Sequence, residues 1–518
     1  MTHLLTPILI LLLSLMPCTL TVQTFVGFQG SNYAGIFAVD LQPASIADNR
    51  LKYDVSLFGL STTVSNNYLR IGGNALVNGD FRNITSDNYR GFLLEELNGQ
   101  TKSLTLNYDV QLPGFMVALS PKQGIALTSR WRSFLNIDGL GEPAARFAFN
   151  LLDLPPQFGQ EYSNPGLRIN LLNYFELGLG YGRVLYDGGA HFLKGGARLK
   201  LMSGLAGVSV YADSLRYSFA NQNTLSVQQA NISYAHSTIL DGIENDFNLF
   251  RDFGKLRFND LGLGLDLGLV YEYRPDHDEY HLGQGENRVP MQDKNKYAFR
   301  LGVSLLDIGG IPFAQSQNSQ NFSGTVLNYD LNQLDLKGVA DFDSTVGAEF
   351  VLEQGGEDFT MPIPTPLSRQ PVFRLHTRLY LNMSPYFAFK RSGNQKGVHT
   401  LTHVSLTPRW ESKWFGLGIP LSASDAGSFD VGFMLQAGPL VVGSSNMTSA
   451  LFGNNMRGAD IRVGFRAPIP YKRTKEGELP PATAPETPDP IAQARPERPV
   501  KEKKAARKEK TPESEPAQ

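Results

Sequence analysis

The densest group of side chains able to hold a metal or move a proton is His277-Asp278-Glu279-Tyr280-His281, directly after Arg274-Pro275. Two imidazoles with carboxylates between them make a plausible ligand set. Metalloproteases fix such a pair on one helix face in the order H-E-x-x-H. Here the order differs and the run follows a proline on an extended connection, so a solvated acidic loop is expected, with no metal. Ser226, His236, His376 and His403 offer nucleophile and base chemistry. A triad is defined by geometry, however, and no local motif marks one. Gly178-Leu179-Gly180 sits inside a strand pattern without a following helix, so it is not a phosphate loop. The expectation is a protein that is not an enzyme and carries no cofactor.

The other chemically capable residues are cations on alternating positions. Arg374, His376 and Arg378 alternate with Phe373, Leu375 and Leu379, Arg462 and Arg466 share a face, and Arg130 and Arg132 flank Trp131. Inward cations of this kind line a path for anionic or amphipathic solutes. The competing expectation is that they pair with Asp109, Asp266, Glu272 and Asp460 and fill a plugged interior. With Asn32, Tyr33 and Pro43 from the segment before the first strand, Arg374, Arg378, Arg462 and Arg466 form the candidate luminal set.

What positions them is a period of two. Leu261, Leu263, Leu265, Leu267, Leu269, Tyr271 and Tyr273 alternate with Gly262, Gly264, Asp266, Gly268, Val270 and Glu272. Leu104 to Leu112, Phe175 to Tyr181, Tyr297 to Leu305 and Ile461 to Phe465 repeat the pattern. One wholly apolar face opposite a polar or glycine face, over strands of about ten residues, is the pattern of a transmembrane antiparallel β-barrel. A soluble sandwich averages strands of about five or six residues. Trp410 and Trp414 flank 411–413, and Tyr380 and Tyr386 flank 382–385, so both pairs are expected in an interfacial girdle beside short turns. Read back from the C-terminus, connections alternate between short and longer. That places short turns and the C-terminal end on the periplasmic side of a barrel with an even strand number, roughly 14 to 16 and taken as about 14.

The ends differ from this core. Residues 4–16 form a short apolar run suited to a secretory signal, giving residues 1–24 as signal peptide with cleavage near Gln23 or Thr24. A lipidated Cys18 is the rival reading, disfavoured by Pro17. Cys18 is the single cysteine, so the exported chain has no disulfide scaffold. Residues 25–50 are expected to form a hatch-like segment, 51–473 the barrel, and 143–154 a short amphipathic helix in an outer loop or at the mouth. Residues 474–518 hold nine Pro, nine Lys/Arg and nine Asp/Glu, a composition expected to be disordered. With 47 Lys+Arg against 49 Asp+Glu over 518 residues, no positive excess suggests nucleic acid.

Gly30-Ser31-Asn32-Tyr33-Ala34-Gly35, Asp40-Leu41-Gln42-Pro43-Ala44-Ser45-Ile46-Ala47, Gly264-Leu265-Asp266-Leu267-Gly268, Leu305-Leu306-Asp307-Ile308-Gly309 and the run from Gly438 to Asn446 resemble a Bacteroidota outer-membrane barrel family known only as a domain of unknown function. That family is similar in layout to long-chain fatty acid transporters and to barrel components of type IX secretion. The resemblance implies outer-membrane location, an N-terminal segment in the lumen, and either passage of a hydrophobic or amphipathic ligand or a structural or secretion-accessory role with a periplasmic or secretion-system protein partner. The related barrels commonly carry Asn-Pro-Ala in that segment, where this chain has Gln42-Pro43-Ala44. The resemblance carries no established functional residues.

Overall fold

The computed structural model describes residues 27–71, 93–242, 260–282, 289–334, 339–353, 358–388, 396–424, 429–446 and 456–471. The chain divides into two units, residues 1–473 and 474–518. The expected signal segment and C-terminal tail lie outside the described residues.

The first unit is a closed antiparallel barrel of 14 strands. Strand β1 is Leu51–Asn66, β2 is Lys102–Gln111 continued by Gly114–Ser120, β3 is Gln123–Leu140, β4 is Arg168–Gly188 and β5 is His191–Asn221. Three interrupted strands follow. β6 comprises Thr224–His236 and Leu261–Tyr273, β7 comprises Phe299–Phe313 and Phe322–Asp330, and β8 comprises Val351–Leu352, Phe359–Pro362 and Pro366–His376. The rest are β9 Leu379–Ala388, β10 His403–Glu411, β11 Phe415–Gly418 with Leu421–Ser424, β12 Phe429–Val431 with Phe433–Ala437, β13 Leu440–Ser444 and β14 Gly458–Pro470. Each strand pairs with its chain neighbours, and β1 pairs with β14 from Leu51↔Pro470 to Ser65↔Gly458. Closure leaves no free edge, as backbone amides need wherever water is absent.

The period of two decides which side chains face out. Along Leu261–Tyr273, Leu261, Leu263, Leu267 and Leu269 are exposed, Leu263 at 74%, whereas Asp266 and Val270 are fully buried toward the lumen. Neighbouring strands carry the apolar belt in register: Leu179 pairs with Leu199, which pairs with Leu265. Farther from the short turns the outer face becomes polar, where Arg216 meets Glu161 and Gln229. Strand β5, at 31 residues, therefore runs well past the belt.

Short turns at 121–122, 189–190, 377–378, 412–414 and 438–439 share one end of the barrel with Arg50 and Tyr471, and the longer connections lie mostly at the other. Residues 274–298 are the exception, a long connection at the short-turn end. Two expectations are corrected here. Residues 382–385 form no turn but lie inside β9, so parity runs on and turns Tyr380, Asn382, Ser384 and Tyr386 inward. Tyr380 and Tyr386 are thus buried in the lumen, and so is Tyr297, whose ring lies 6.0 Å from that of Tyr380. Trp410 and Trp414 do face outward, 41% and 43% exposed.

A β-bulge in β7 places both Leu306 and Asp307 opposite Asp266 of β6. Both bulge residues point inward, and Asp307 takes φ +54°, a left-handed conformation that aspartate tolerates better than most residues. The extra residue switches parity. Before it, Arg300, Gly302 and Ser304 face the lumen; after it, Ile311 and Phe313 do. With Phe134, Leu172, Tyr174, Met202, Phe359, Met361 and Ile363 they form an apolar cluster. In β5, Gly204 and Gly207 lie directly under the Phe313 ring, where a Cβ on Gly204 would come within 2.4 Å. Helix α1, Glu142–Phe149, has proline in its first turn, Glu142 near its N-terminus and Arg146 in its last turn. It buries Phe147 against Tyr217 and Phe219 of β5. Helix α2, Val339–Glu349, lies between β7 and β8 in sequence.

Candidate functional site

Residues 27–50 make two single turns of 3-10 helix, Gly35–Ala38 and Pro43–Ile46, and all but Asn32 and Tyr33 are buried. Proline at the first position of the second turn needs no amide partner, and the Gln42 side chain accepts from the Ala44 N–H at 3.2 Å. Gln42 Nε2 also donates to the carbonyls of Leu269 and Val303, at 3.2 Å each, so one side chain caps the turn and anchors it to β6 and β7. Glutamine's extra methylene gives it this reach. The wall accommodates the turn through glycine: a Cβ on Gly196 would lie 2.5 Å from the Pro43 carbonyl, and one on Gly268 would lie 1.9 Å from Gln42 Oε1. The glycines on the polar face of the alternation thus form the groove that receives this segment.

A layer of charge extends from this segment into the wall. Asp40 binds Arg130 at 2.6 Å and Arg198 at 2.5 Å. Arg198 also binds Asp266 at 2.7 Å, Lys200 binds Asp266 at 2.6 Å and contacts Asp307, and Arg132 binds Asp307 at 3.0 Å. Asp109 lies 3.1 Å from Arg130, and Glu176 lies between the cations at 3.6–3.9 Å. Four cations therefore meet five carboxylates. Buried ions are tolerated only when paired in this way, because the attraction must offset a desolvation cost of several kcal/mol per ion. The remaining cavity beside this layer is about 40 Å³, room for a few waters at most.

A second cluster closes the short-turn end. Asp48 binds Arg274 at 2.6 Å, Arg50 at 2.7 Å and Lys296 at 3.3 Å. Burial alone would raise its carboxyl, but Arg50, Lys296 and Arg274 outweigh burial and hold it well below the usual carboxylate range. Lys194 Nζ donates to the Ala47 carbonyl at 2.8 Å, and Ser304 Oγ to that of Leu41 at 2.6 Å. Below this cluster lies an open cleft of about 510 Å³, lined in part by Tyr33, Arg50, Tyr280, Arg374, Arg378 and Glu411.

The residues singled out from sequence fall into three places. Asn32 bonds Glu411 and accepts from Tyr297 Oη at 2.7 Å, the Tyr33 carbonyl accepts from Arg466, and Pro43 starts the anchored turn. Arg466 pairs with Asp54 at 2.7 Å and Arg462 with Asp460 at 2.5 Å, all four buried. Arg374 and Arg378 do not point into the charged layer. They sit at the cleft, Arg374 donating to Tyr280 Oη at 2.9 Å. His277 to Tyr280 forms a single turn exposed at Asp278 and Glu279, with His281 Nδ1 donating to the His277 carbonyl at 2.9 Å. Sequence reasoning missed Asp40, Asp48, Glu176 and Asp307. The available clue for Glu176 was its place on the polar face of an otherwise apolar strand.

A family model described as "Family of unknown function (DUF5723)" matches residues 43–445. No curated protein matches the sequence. Among solved structures, the chain is similar to a TodX deltaS2S3 mutant monoaromatic hydrocarbon channel at 10% identity, covering 84% of this chain and 94% of that one, TM-score 0.39. It is also similar to a Pseudomonas aeruginosa FadL homologue at 11%, covering 87% and 98%, TM-score 0.39. The Pseudomonas putida toluene transporter TodX matches at 9%, covering 84% and 93%, TM-score 0.30. The barrel itself rests on the chain's own strand pairing.

Proposed function

From the premise that the chain belongs to this DUF5723 family of unknown function, we propose an outer-membrane barrel that passes hydrophobic or amphipathic solutes, with residues 25–50 as its hatch. The observation that carries this reading is the apolar cluster which the β7 bulge turns into the lumen, next to the charged layer. A water-filled sieve keeps a polar inner face, whereas Phe134, Met202, Ile311, Phe313, Phe359 and Met361 offer an apolar solute a surface shielded from water. The cluster adjoins the level at which β6, β7 and β8 are all interrupted, where a sideways route into lipid requires the few bridging backbone bonds, such as Gly204 N–H to Asp260 and Ser237 N–H to Gly207, to open. The hatch is held by ion pairs and single hydrogen bonds to the wall and by an apolar cluster in which Phe28, Ile36, Phe37, Val39 and Ile46 pack with Met116, Ala126, Met434 and Val441, so its displacement must also expose that cluster. In this orientation the short turns and the chain end after Tyr471 face the periplasm.

One observation favours a second reading. The charged layer is filled, and the cleft at the short-turn end presents tyrosines with both signs of charge, a surface suited to a protein partner in a structural or secretion-accessory barrel.

Reconstitution separates the two. For a transporter, deleting residues 25–50 raises ion conductance in planar bilayers, and Phe313→Glu slows uptake of a pyrene-labelled fatty acid into vesicles while leaving the heat-dependent gel shift intact. Unchanged conductance and uptake in both variants, with a stoichiometric polypeptide co-purifying, would select the accessory role. Recovery of the protein in the soluble periplasmic fraction would remove both.

A further inference from the structure

We propose that His236, Asp241 and Asp343 form a divalent-metal site, suited to zinc, which fastens helix α2 to the wall where β6 is interrupted. His236 ends the first half of β6, Asp241 lies in the 3-10 turn Thr238–Gly242 that follows, and Asp343 comes from α2, about a hundred residues further on. One ligand atom from each lies within 4.8 Å of the others. His236 Nε2 is 2.9 Å from Asp343 Oδ2 and 3.9 Å from Asp241 Oδ1. Zinc bonds of about 2.0–2.2 Å in a tetrahedron put ligand atoms about 3.3–3.5 Å apart. The two distances from His236 lie within about 0.6 Å of that spacing, and the two carboxylates, no more than 4.8 Å apart, close on it by rotation of the partly exposed Asp241.

The hydrogen bonding around the imidazole points the same way. Nδ1 lies 3.1 Å from the Ser237 carbonyl, which can only accept, so Nδ1 carries a proton. Nε2 then faces Asp343 Oδ2 either as the second N–H of an imidazolium or, with a cation between them, as a lone pair. A metal-bound imidazole commonly donates its other N–H to a carbonyl as Nδ1 does here. Asp343 is the second independent sign. Its side chain is only 6% exposed, and its Oδ1 is buried with no hydrogen-bond partner. Ser316 Oγ donates to Asp241 Oδ1 at 2.8 Å and orients it, the Tyr234 hydroxyl bonds the Asp343 side chain, and the Phe342 ring packs edge-on against Tyr234. Asp241 remains 34% exposed, which leaves a fourth position open to water. One nitrogen and two carboxylates in so small a space suit zinc better than calcium, which takes six to eight oxygens.

The site lies in a cluster where Ala212, Ala230, Ile232 and Tyr234 of the wall meet Val346 of α2. A metal there ties α2 to the two residues on either side of the chain's exit from β6.

The test uses the full chain, purified in detergent and stripped with EDTA, titrated with zinc chloride by calorimetry. One equivalent is expected to bind and to raise the thermal unfolding midpoint. Asp343→Asn keeps a hydrogen bond to His236 and is expected to retain the heat-dependent gel shift, while losing at least tenfold in affinity and the thermal shift. Glu349→Gln, exposed on the same helix, is expected to bind as the parent does. Weak binding by the partly exposed His277 and His281 would persist in Asp343→Asn and so is separated from the proposed site. Absence of saturable binding, or binding equal in the parent and Asp343→Asn, overturns the proposal and leaves His236 and Asp343 as an imidazolium–carboxylate pair.

Discussion

Arg466 on the last barrel strand donates to Asp54 on the first at 2.7 Å, across the seam that closes the barrel, and both side chains are fully buried. The same Asp54 oxygen accepts the Ile36 N–H at 2.8 Å, and the same guanidinium donates to the Tyr33 carbonyl. One ion pair therefore serves both the barrel's closure and the seating of residues 27–50, and the wall and this segment are energetically coupled through it.

Removing one partner leaves the other charged in a buried place, a loss of about 3–5 kcal/mol. Asp54→Asn and Arg466→Met are each expected to lower the temperature of the heat-dependent gel shift and to make residues 27–50 accessible to protease. The double variant, which removes both charges, is expected to recover part of the loss. Fully additive losses would show that the pair does not act as a unit.

Asp48 sets a pH dependence with a definite sign. Its folded carboxyl is held well below the usual value of 3.8 by Arg50, Lys296 and Arg274. It therefore contributes stability that is fully present above about pH 4 and lost as pH falls through the depressed folded value. Protection of residues 27–50 from protease is expected to be flat from neutral pH down to that point and to fall below it. Asp48→Asn should remove this acid limb and expose the segment even at pH 7. A limb unchanged in the variant would assign the titration to another carboxylate.

How much of this was legible in the sequence follows from what each feature depends on. The barrel was, because outward leucines and inward glycines repeat along each strand and parity is a local property. The lumen was legible only in part. Arg462 with Asp460 is two residues apart on one strand and could be paired by inspection, whereas Arg132 with Asp307 and Asp48 with Arg274 join positions more than a hundred residues apart, and only the closed ring brings them together. The girdle expected for Tyr380 and Tyr386 fails because 382–385 is continuous strand and not the short turn that the spacing suggests. Pro385 sits in β9 opposite Val404, so the true turn falls at 377–378 and the tyrosines face inward. The bulge at Leu306-Asp307 left no trace in the pattern except two consecutive inward residues, and it decides where the apolar cluster lies.

The groove for the Gln42-Pro43 turn has no room for a side chain. Gly196→Val and Gly268→Val are each expected to displace residues 27–50 while leaving the strand pairing intact, because valine favours strand conformation. Single-channel recording should show larger or noisier conductance than in the parent. Gly438→Val is a poor control because of its φ of +57°. Gly416, where a Cβ meets nothing closer than 3.4 Å, is the suitable position for Gly→Ala, with conductance as in the parent.

The outward tryptophans report the edge of the apolar belt. Trp410 lies in β10 just before the turn 412–414 and Trp414 is the turn's last residue. In vesicles containing lipids brominated at different acyl depths, fluorescence from a Trp131→Phe variant is expected to be quenched most by the shallowest bromine, as suits rings at the headgroup boundary. Strongest quenching at mid-bilayer would move the belt toward the short turns and reset the depth of every strand.

Asp307 combines charge and backbone strain, and the two can be separated. Asparagine tolerates a positive φ as aspartate does, so Asp307→Asn removes only the charge that meets Arg132 and Lys200, at an expected cost of about 3–5 kcal/mol. Asp307→Ala also places a Cβ-bearing residue without a local hydrogen-bonding side chain at φ +54°, adding about 1–2 kcal/mol. Lys200→Met in the Asp307→Asn background removes one of the stranded cations and is expected to restore part of the stability, because these neighbours share a network. Urea-dependent folding into lipid vesicles, followed by tryptophan fluorescence, measures all three variants. Equal stability of Asp307→Asn and the parent would mean that Glu176, 3.6 Å from Arg132 and 3.9 Å from Lys200, suffices to balance both cations, and that the bulge serves the apolar cluster alone.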